Sequence, residues 1–294
     1  MKDLAGYLLV RVGVGLVGLL PARVARRLGE LAGLIWYLFG GDRKRMARSH
    51  MRRVQGSDSH LGKRTRAVFR SYGRYWAETL WARPRRIPEL DAGLEVVGLE
   101  HLQDAARGGK GAIIALPHLG NWEAAALSGQ RAGIEILAVA EKLANRRLTN
   151  WFTSLRKQFG ITIVLAGRAS MRGIEAGIAR GAAVALLCDR DLSGRGIKTE
   201  FFGEVTTLPA GPAALALRTG APLLLAGAYF TPNGHHLVLQ RLELPPGTKD
   251  LTEVTRLIAR GLEQLIRRAP EQWHLLQPNW PSDQVIGSGT TGLA

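Results

Sequence analysis

His118 stands five residues ahead of Glu123 in the stretch Pro117-His118-Leu119-Gly120-Asn121-Trp122-Glu123. These are the residue types of a general base and its orienting group. An ionised carboxylate holds an imidazole in one tautomer and stabilises the imidazolium formed when the ring takes a proton. On a continuous helix, residues five apart point in different directions, so the pair requires a bend. A turn holding His118, a bend at Gly120 and a helix starting near Trp122 bring the two side chains together. Asn121 suits the N-cap of that helix. Glu123 then lies near the positive end of the helix dipole, which favours its ionised form. Metal binding is the competing use of these residues. A catalytic zinc site takes about three protein ligands, and the sequence has neither a His-Glu-x-x-His motif nor a cysteine pair. No metal and no cofactor is expected.

The apolar run Ala112 to Leu116, just before this stretch, reads as a buried strand. From Leu94 onward short apolar runs alternate with helical stretches. Strands are expected at 94–97, 112–116, 136–140, 161–165, 184–187, 223–230 and 236–240. Helices are expected at 121–132, 145–159, 170–180, 209–219 and 251–268. The alternation predicts an α/β fold with a central, mostly parallel sheet flanked by helices. Asn233-Gly234 predicts a hairpin, and so an antiparallel edge. Glu141 and Asp189-Arg190-Asp191 each follow a strand, at the edge where ligands of open α/β sheets collect. The two carboxylates and the guanidinium of Asp189-Arg190-Asp191 suit the hydroxyls of a polyol. The alternative is ion pairing, for Glu141 with Lys142 or Arg147 and for Asp189 within its own motif.

The chain has 294 residues, 46% of them hydrophobic, enough for a sizeable core. Its one cysteine, Cys188, excludes an intrachain disulfide, fits a reducing cytosol and reads as a small buried residue. The net charge of +16 is uneven: residues 1–90 hold 19 Lys and Arg against 6 Asp and Glu, and the remainder 21 against 18. The basic third reads as helices broken near Pro21, Gly40-Gly41 and 55–59, with a further helix over Arg64 to Ala82. Leu4 to Leu20 is nearly all apolar but is short for a membrane span. Its central Arg11 would cost ~2.5–3.5 kcal/mol in a bilayer, and it lacks the cleavage site of a signal peptide. Leu28 to Phe39 contains Trp36-Tyr37 and is followed by Arg43-Lys44-Arg45, Arg48 and Arg52-Arg53. Apolar faces, interfacial aromatics and clustered arginine describe a segment lying on an anionic membrane surface. A solvated basic face is the alternative. No helix-turn-helix, zinc-finger or RNA-binding signature supports a nucleic-acid partner. Three segments follow: 1–90, helical and membrane-associated; 91–283, the α/β catalytic part; and 284–294, a disordered tail rich in Gly, Ser and Thr.

The His-x4-Glu block after a strand resembles the first block of the glycerolipid acyltransferase superfamily. Leu-Pro-His-x-Gly-Asn-Trp-Glu is similar to its bacterial lipid A acyltransferase branch. Glu141, Asp189-Arg190-Asp191, Phe201-Phe202-Gly203-Glu204, Pro209-Ala210-Gly211-Pro212 and Trp273 to Trp280 are similar to blocks of the actinobacterial phosphatidylinositol mannoside acyltransferases. The resemblance implies an acyl-CoA-dependent O-acyltransferase, peripheral on the cytoplasmic face of the cell membrane. It would move a long acyl chain, palmitoyl by analogy, to a mannose hydroxyl of phosphatidylinositol mannoside. The acceptor hydroxyl attacks directly, with His118 and Glu123 as the catalytic pair and no acyl-enzyme. Glu141, Arg156, Asp189 and Arg190 are implied at the acceptor, Arg195 with Lys198 near the CoA phosphates, and Phe201 and Phe202 in an acyl slot or the core. Relatives typically carry Glu where this chain has Asp189, a side chain one methylene shorter. His274 reads as structural. A different glycerolipid or glycolipid acceptor, or a non-catalytic membrane-binding role, is the remaining alternative.

Overall fold

The computed structural model describes residues 11–140, 145–167 and 170–287. After a helical stretch at 11–17 come three long helices: α1 (Ala22–Phe39), α2 (Gly41–Gln55) and α3 (Leu61–Trp81). They break at Pro21, Gly40-Gly41 and the left-handed Gly56, where the sequence expects breaks. After a short 3-10 turn and α4 (Ile87–Ala92), strands and helices alternate. The order is β1 (Leu94–Val97), α5 (Leu99–Gly108), β2 (Ala112–Leu116), α6 (Trp122–Ala125), α7 (Leu127–Ala132), β3 (Ile136–Ala140), α8 (Arg146–Gln158), β4 (Ile161–Leu165), α9 (Ser170–Ala179) and β5 (Ala183–Leu187). A hairpin of β6 (Ile197–Phe201) and β7 (Glu204–Leu208) follows, then α10 (Gly211–Thr219), β8 (Leu223–Phe230), β9 (His235–Arg241), α11 (Leu251–Arg268) and α12 (Pro281–Gly287).

Seven strands form one sheet in the order β1-β9-β8-β2-β5-β3-β4. Every pairing is parallel except β8 with β9. All five residues of β2 are buried, because helices cover both faces. Strand alternation sends Ile113 and Ala115 to one core, which α9, α10 and α11 help to fill. It sends Ala112, Ile114 and Leu116 to the other, beneath α5 and α8.

Three expectations need correction, and one element was not expected. The antiparallel pair is not at the edge, because β1 adds outside β9 in parallel register. The 121–132 helix is two short helices that meet at Ala126. The β6–β7 hairpin has its own two-stranded sheet and was hidden by its short, mostly polar alternation. The tail does not begin after Asp283: α12 runs to Gly287, since Asp283 is buried and accepts the backbone N–H groups of Asn279 and Trp280 at 2.9 and 3.1 Å.

The first ninety residues are packed into the same body. Helices α1 and α3 cross on glycine. A β-carbon on Gly29 would meet the Gly73 carbonyl oxygen at 2.5 Å, and one on Gly33 the Phe69 carbonyl oxygen at 2.1 Å. This close crossing buries one stripe of α1 and leaves the opposite stripe bare. Leu28, Leu31, Ile35, Leu38 and Phe39 are exposed, Phe39 by 80%. No helix among the described residues is long and apolar enough to cross a membrane.

Two glycine substitutions should move stability in opposite directions. In Gly73→Ala the new methyl falls 2.1 Å from the Gly29 carbonyl oxygen. The helices must separate, at a cost of about 1–3 kcal/mol. Gly173 is an exposed mid-helix position in α9 whose nearest neighbour to such a methyl is 3.6 Å away. Gly173→Ala should stabilise by about 0.5–1 kcal/mol through helix propensity alone. Urea unfolding midpoints compare the two, and equal shifts would overturn the crossing argument.

Candidate active site

Strands β2 and β5 lie side by side in parallel, with Leu116 level with Leu187. Pro117-His118 and Cys188-Asp189 therefore leave the sheet together. The backbone N–H of Cys188 donates to the Leu116 carbonyl at 3.0 Å, which continues the pairing to the strand ends. The next residues along place the His118 ring Nδ1 2.7 Å from Asp189 Oδ1. The His118 backbone N–H donates to Oδ2 of the same carboxylate at 3.0 Å, and the Trp273 indole N–H donates to that oxygen at 2.7 Å. Asp189 is fully buried, whereas the His118 side chain keeps 32% of its surface exposed.

Burial alone would raise the pKa of Asp189. The His118 charge and hydrogen bonds from the His118 ring, the Trp273 indole and the His118 backbone outweigh it and hold the carboxyl below the usual carboxylate range. An ionised carboxylate only accepts, so Nδ1 carries a proton, and in the neutral ring the lone pair falls on Nε2. This is the arrangement of a general base. The partner is the carboxylate 71 residues away in sequence, not the one five residues away.

The expected pairing of His118 with Glu123 is thus corrected. Asn121 does cap α6: its Oδ1 accepts the Ala124 N–H at 3.0 Å. Gly120 does make the bend, with φ 57°, and a β-carbon there would meet the Ala228 carbonyl oxygen at 2.4 Å. The bend, however, turns Glu123 away from the imidazole and into the gap between α3 and α8. One oxygen accepts from Thr79 Oγ1 at 3.2 Å and the other from Arg156 Nε at 3.0 Å. Glu123 holds Arg156, and no hydrogen bond joins it to His118.

His118 opens onto a cavity of about 590 Å3 over the carboxyl ends of β3, β4 and β5. Its walls are mainly apolar, with Trp76, Phe152, Leu165, Met171, Leu187 and Leu215 among them. Arg156 and Arg190 supply the cations of the lining, and Pro209, Gly211 and Pro212 border it at the start of α10. The remaining expected residues sit elsewhere. Asp189 cannot meet a sugar, because both its oxygens are engaged and none of its surface is open. Phe201 and Phe202 line no part of this cavity: both are core, and Phe201 stacks on Trp280 at 5.7 Å and 9°. Arg195 lies on an exposed loop held by Asp191, which accepts from Ser193 and from the Gly196 N–H. Glu141 lies outside the described residues. Cys188 is buried, and its burial, with the neighbouring Asp189 charge, pushes the thiol pKa far up, so it is no nucleophile.

Sequence reading missed Trp273 as the second donor to Asp189. Its only signal was a Trp-rich block far along the chain. That block closes the site from behind. Gly120 N–H donates to the Gln272 carbonyl at 2.9 Å, His274 N–H to the His118 carbonyl at 2.8 Å, and Asn279 Nδ2 to the Asp189 carbonyl at 3.1 Å. The His274 ring is buried behind His118 with Nε2 2.9 Å from Ser71 Oγ. Burial first, and the His118 charge second, lower its pKa from 6.5 to about 3.

Residues 3–282 match the sequence profile of the family described as bacterial lipid A biosynthesis acyltransferase. The chain is 34% identical over 226 residues to the phosphatidylinositol mannoside acyltransferase of Mycolicibacterium smegmatis, covering 74% of this chain and 72% of that protein. It is 36% identical over 224 residues to the protein of the same name from Mycobacterium tuberculosis strain H37Rv, covering 74% and 70%.

The buried His274 sets a pH dependence with a definite sign. Between about 3 and 6.5 the unfolded chain binds a proton on this residue and the folded chain does not. Stability therefore falls as pH drops through that window, by about 1.4 kcal/mol per pH unit. His274→Gln should remove roughly 2 kcal/mol of the loss between about pH 7 and about pH 5, leaving the carboxylate contributions in place. Urea midpoints of both proteins at the two pH values test this. Parallel pH profiles would mean that His274 is protonated in the folded chain.

Proposed function

Because the chain belongs to the bacterial lipid A biosynthesis acyltransferase family, we propose that it transfers a long acyl chain, palmitoyl, from acyl-CoA to a mannose hydroxyl of phosphatidylinositol mannoside. The observation that carries this reading is an imidazole whose Nδ1 is fixed on a buried carboxylate and whose ring lines a large, mainly apolar cavity. An apolar cavity suits an acyl chain, and a base at its rim suits a hydroxyl brought to the thioester.

In this mechanism His118 Nε2 takes the proton of the acceptor hydroxyl as its oxygen attacks the thioester carbonyl. The negative charge of the tetrahedral intermediate collapses to expel the CoA thiolate, which takes the proton back from the imidazolium. No acyl-enzyme forms. Asp189 is the positioning residue: it fixes the tautomer and stabilises the transient imidazolium. Glu123 positions Arg156, which offers its free guanidinium N–H groups to acceptor oxygens. Arg190 adds a second positive charge to the lining at the strand exit. Acyl-CoA enters as a co-substrate and no cofactor is required.

The chain works as a peripheral protein on the cytoplasmic face of the cell membrane. The exposed apolar stripe of α1 supports this, flanked by the basic residues of α2. A stripe of this kind buries in the headgroup region while the arginines meet anionic lipid. A related glycolipid acceptor is the second reading, because Arg156 and Arg190 would serve any oxygen-rich headgroup.

Transfer of radiolabelled palmitoyl-CoA to purified phosphatidylinositol mannoside tests the assignment. His118→Ala should lower turnover by ~10²–10⁴-fold. Asp189→Asn should approach that loss, because an amide can donate to Nδ1 and stabilise the wrong tautomer. Glu123→Gln should instead raise the acceptor KM through a slackened Arg156, with a smaller change in kcat. If Glu123→Gln abolished turnover while Asp189→Asn spared it, the pairing assigned here would be wrong. If His118→Ala retained turnover, so would the mechanism.

A further inference from the structure

A second cavity, also of about 590 Å3, opens beyond the end of β8, on the other flank of β2 from the one His118 faces. Its chemistry is different. Arg23, Arg26 and Arg27 line it from α1, and Arg70 and Arg74 from α3, against only two lining carboxylates, Glu30 and Glu271. Positions 23, 26 and 27 share one helical face, as do 70 and 74. The glycine crossing of α1 and α3 brings the two faces together.

Two of these arginines are fixed. Arg26 and Arg74 donate to the buried Glu78 at 2.7 and 2.9 Å. They also reach the carbonyls of Asn233, Thr231 and Gly234 in the β8–β9 turn, at 2.8–3.0 Å. Their charges are thus largely spent on building the floor. Arg23, Arg27 and Arg70 have no ion pair or side-chain hydrogen bond among the described residues. These three exposed arginines add unpaired positive charge to one cavity, which favours an anion there. Guanidinium forks match the oxygens of a phosphate group, two N–H donors to two oxygens. The exposed apolar side chains Val24 and Leu28 stand beside Arg23 and Arg27 on α1. A helix lying with that stripe among lipid tails would hold the cavity at the depth of the lipid phosphates.

We propose that this arginine-lined cavity is a phosphate-binding site, taking the phosphate of an anionic phospholipid headgroup or free phosphate. The inference rests on the cavity and does not depend on the transfer reaction. Inactivity of His118→Ala, or a different acyl acceptor, would leave it standing.

The test uses the full chain, the triple variant Arg23→Gln/Arg27→Gln/Arg70→Gln, and a control triple, Arg48→Gln/Lys63→Gln/Arg64→Gln. The control removes the same charge from exposed positions of the basic third that do not line the cavity. Flotation measures binding to vesicles of phosphatidylcholine alone and of phosphatidylcholine with phosphatidylglycerol. Calorimetry with inorganic phosphate, at ionic strength matched with chloride, measures the free anion. The cavity triple should lose at least about tenfold in preference for the anionic vesicles, and the control triple clearly less. If inorganic phosphate binds the parent but not the cavity triple, and displaces it from anionic vesicles, the site accepts the free ion. If phosphate alone has no effect while the cavity triple loses its preference, the occupant is the lipid headgroup. Equal loss in both triples with no phosphate binding would show diffuse attraction only and overturn the proposal. Circular dichroism melts check folding, and Arg70→Gln alone, scored by the same criteria, replaces the triple if that variant is unstable.

Discussion

A single buried carboxylate, Asp189, organises the site, and its hydrogen bonds explain why the surrounding elements sit where they do. It is fully buried and would be neutral without compensation. Three N–H groups compensate it: the His118 ring, the His118 backbone and the Trp273 indole. Each donor comes with a structural demand. The two from His118 require β2 and β5 to run parallel and in register. The third requires the segment after α11 to fold back against the strand exits. The same three donors that keep Asp189 ionised also fix the tautomer of His118. Stability and function are therefore one arrangement here.

Two further buried carboxylates do for the N-terminal helices what Asp189 does for the strands. Glu78 is approached by Arg26 from α1, Arg74 from α3, His235 from β9 and Asn121 from the cap of α6. His235, through its charge and hydrogen bond, and the Arg74 and Arg26 charges hold its carboxyl far below the usual range despite burial. Asp283 receives His50 and Arg53 from α2 together with backbone N–H groups of the closing segment. Removing one partner from such a cluster leaves an uncompensated charge, a penalty of about 3–5 kcal/mol. The helices that bear the exposed apolar stripe are thereby bolted to the sheet. The Asn121 amide joins one bolt directly to the turn that carries His118.

Most of the sheet was legible in the sequence, because five- to eight-residue apolar runs bounded by Gly and Pro have no other use in an α/β chain. The place of His118 at a strand exit was legible for the same reason: it ends such a run. Its partner was not. Glu123 is nearer in sequence and of the right type, and local spacing could not tell that Gly120 would aim it at Arg156. Asp189 was noticed, but as a ligand for hydroxyls, because burial and register are properties of strand pairing and not of the motif. Phe201-Phe202 illustrates the converse. Two adjacent aromatics on a strand point opposite ways, yet both are buried here, since the left-handed Phe202 at φ 53° turns back onto the core. The β6–β7 hairpin that carries them has no apolar alternation to announce it.

The closing segment shows why the site cannot be built from its first half. Residues 272–280 arrive after every strand has been made. They contribute an indole to Asp189, an amide to the Asp189 carbonyl, backbone bonds to Gly120 and His118, and Trp280 stacked on Phe201. These contacts join residues about 70–160 apart, and the entropy of closing such loops is recovered only when the partners are already in place. Until then Asp189 lacks one of its donors and the turn after β2 lacks its anchor at Gly120. A chain cut before Trp273 would keep the β2 and β5 sequences and both members of the His118–Asp189 pair. It would lack Trp273, one of the three donors that keep the buried carboxylate ionised, and the His274 N–H bonded to the His118 carbonyl. The fixed tautomer of His118, on which the proposed chemistry rests, is a property of the completed fold.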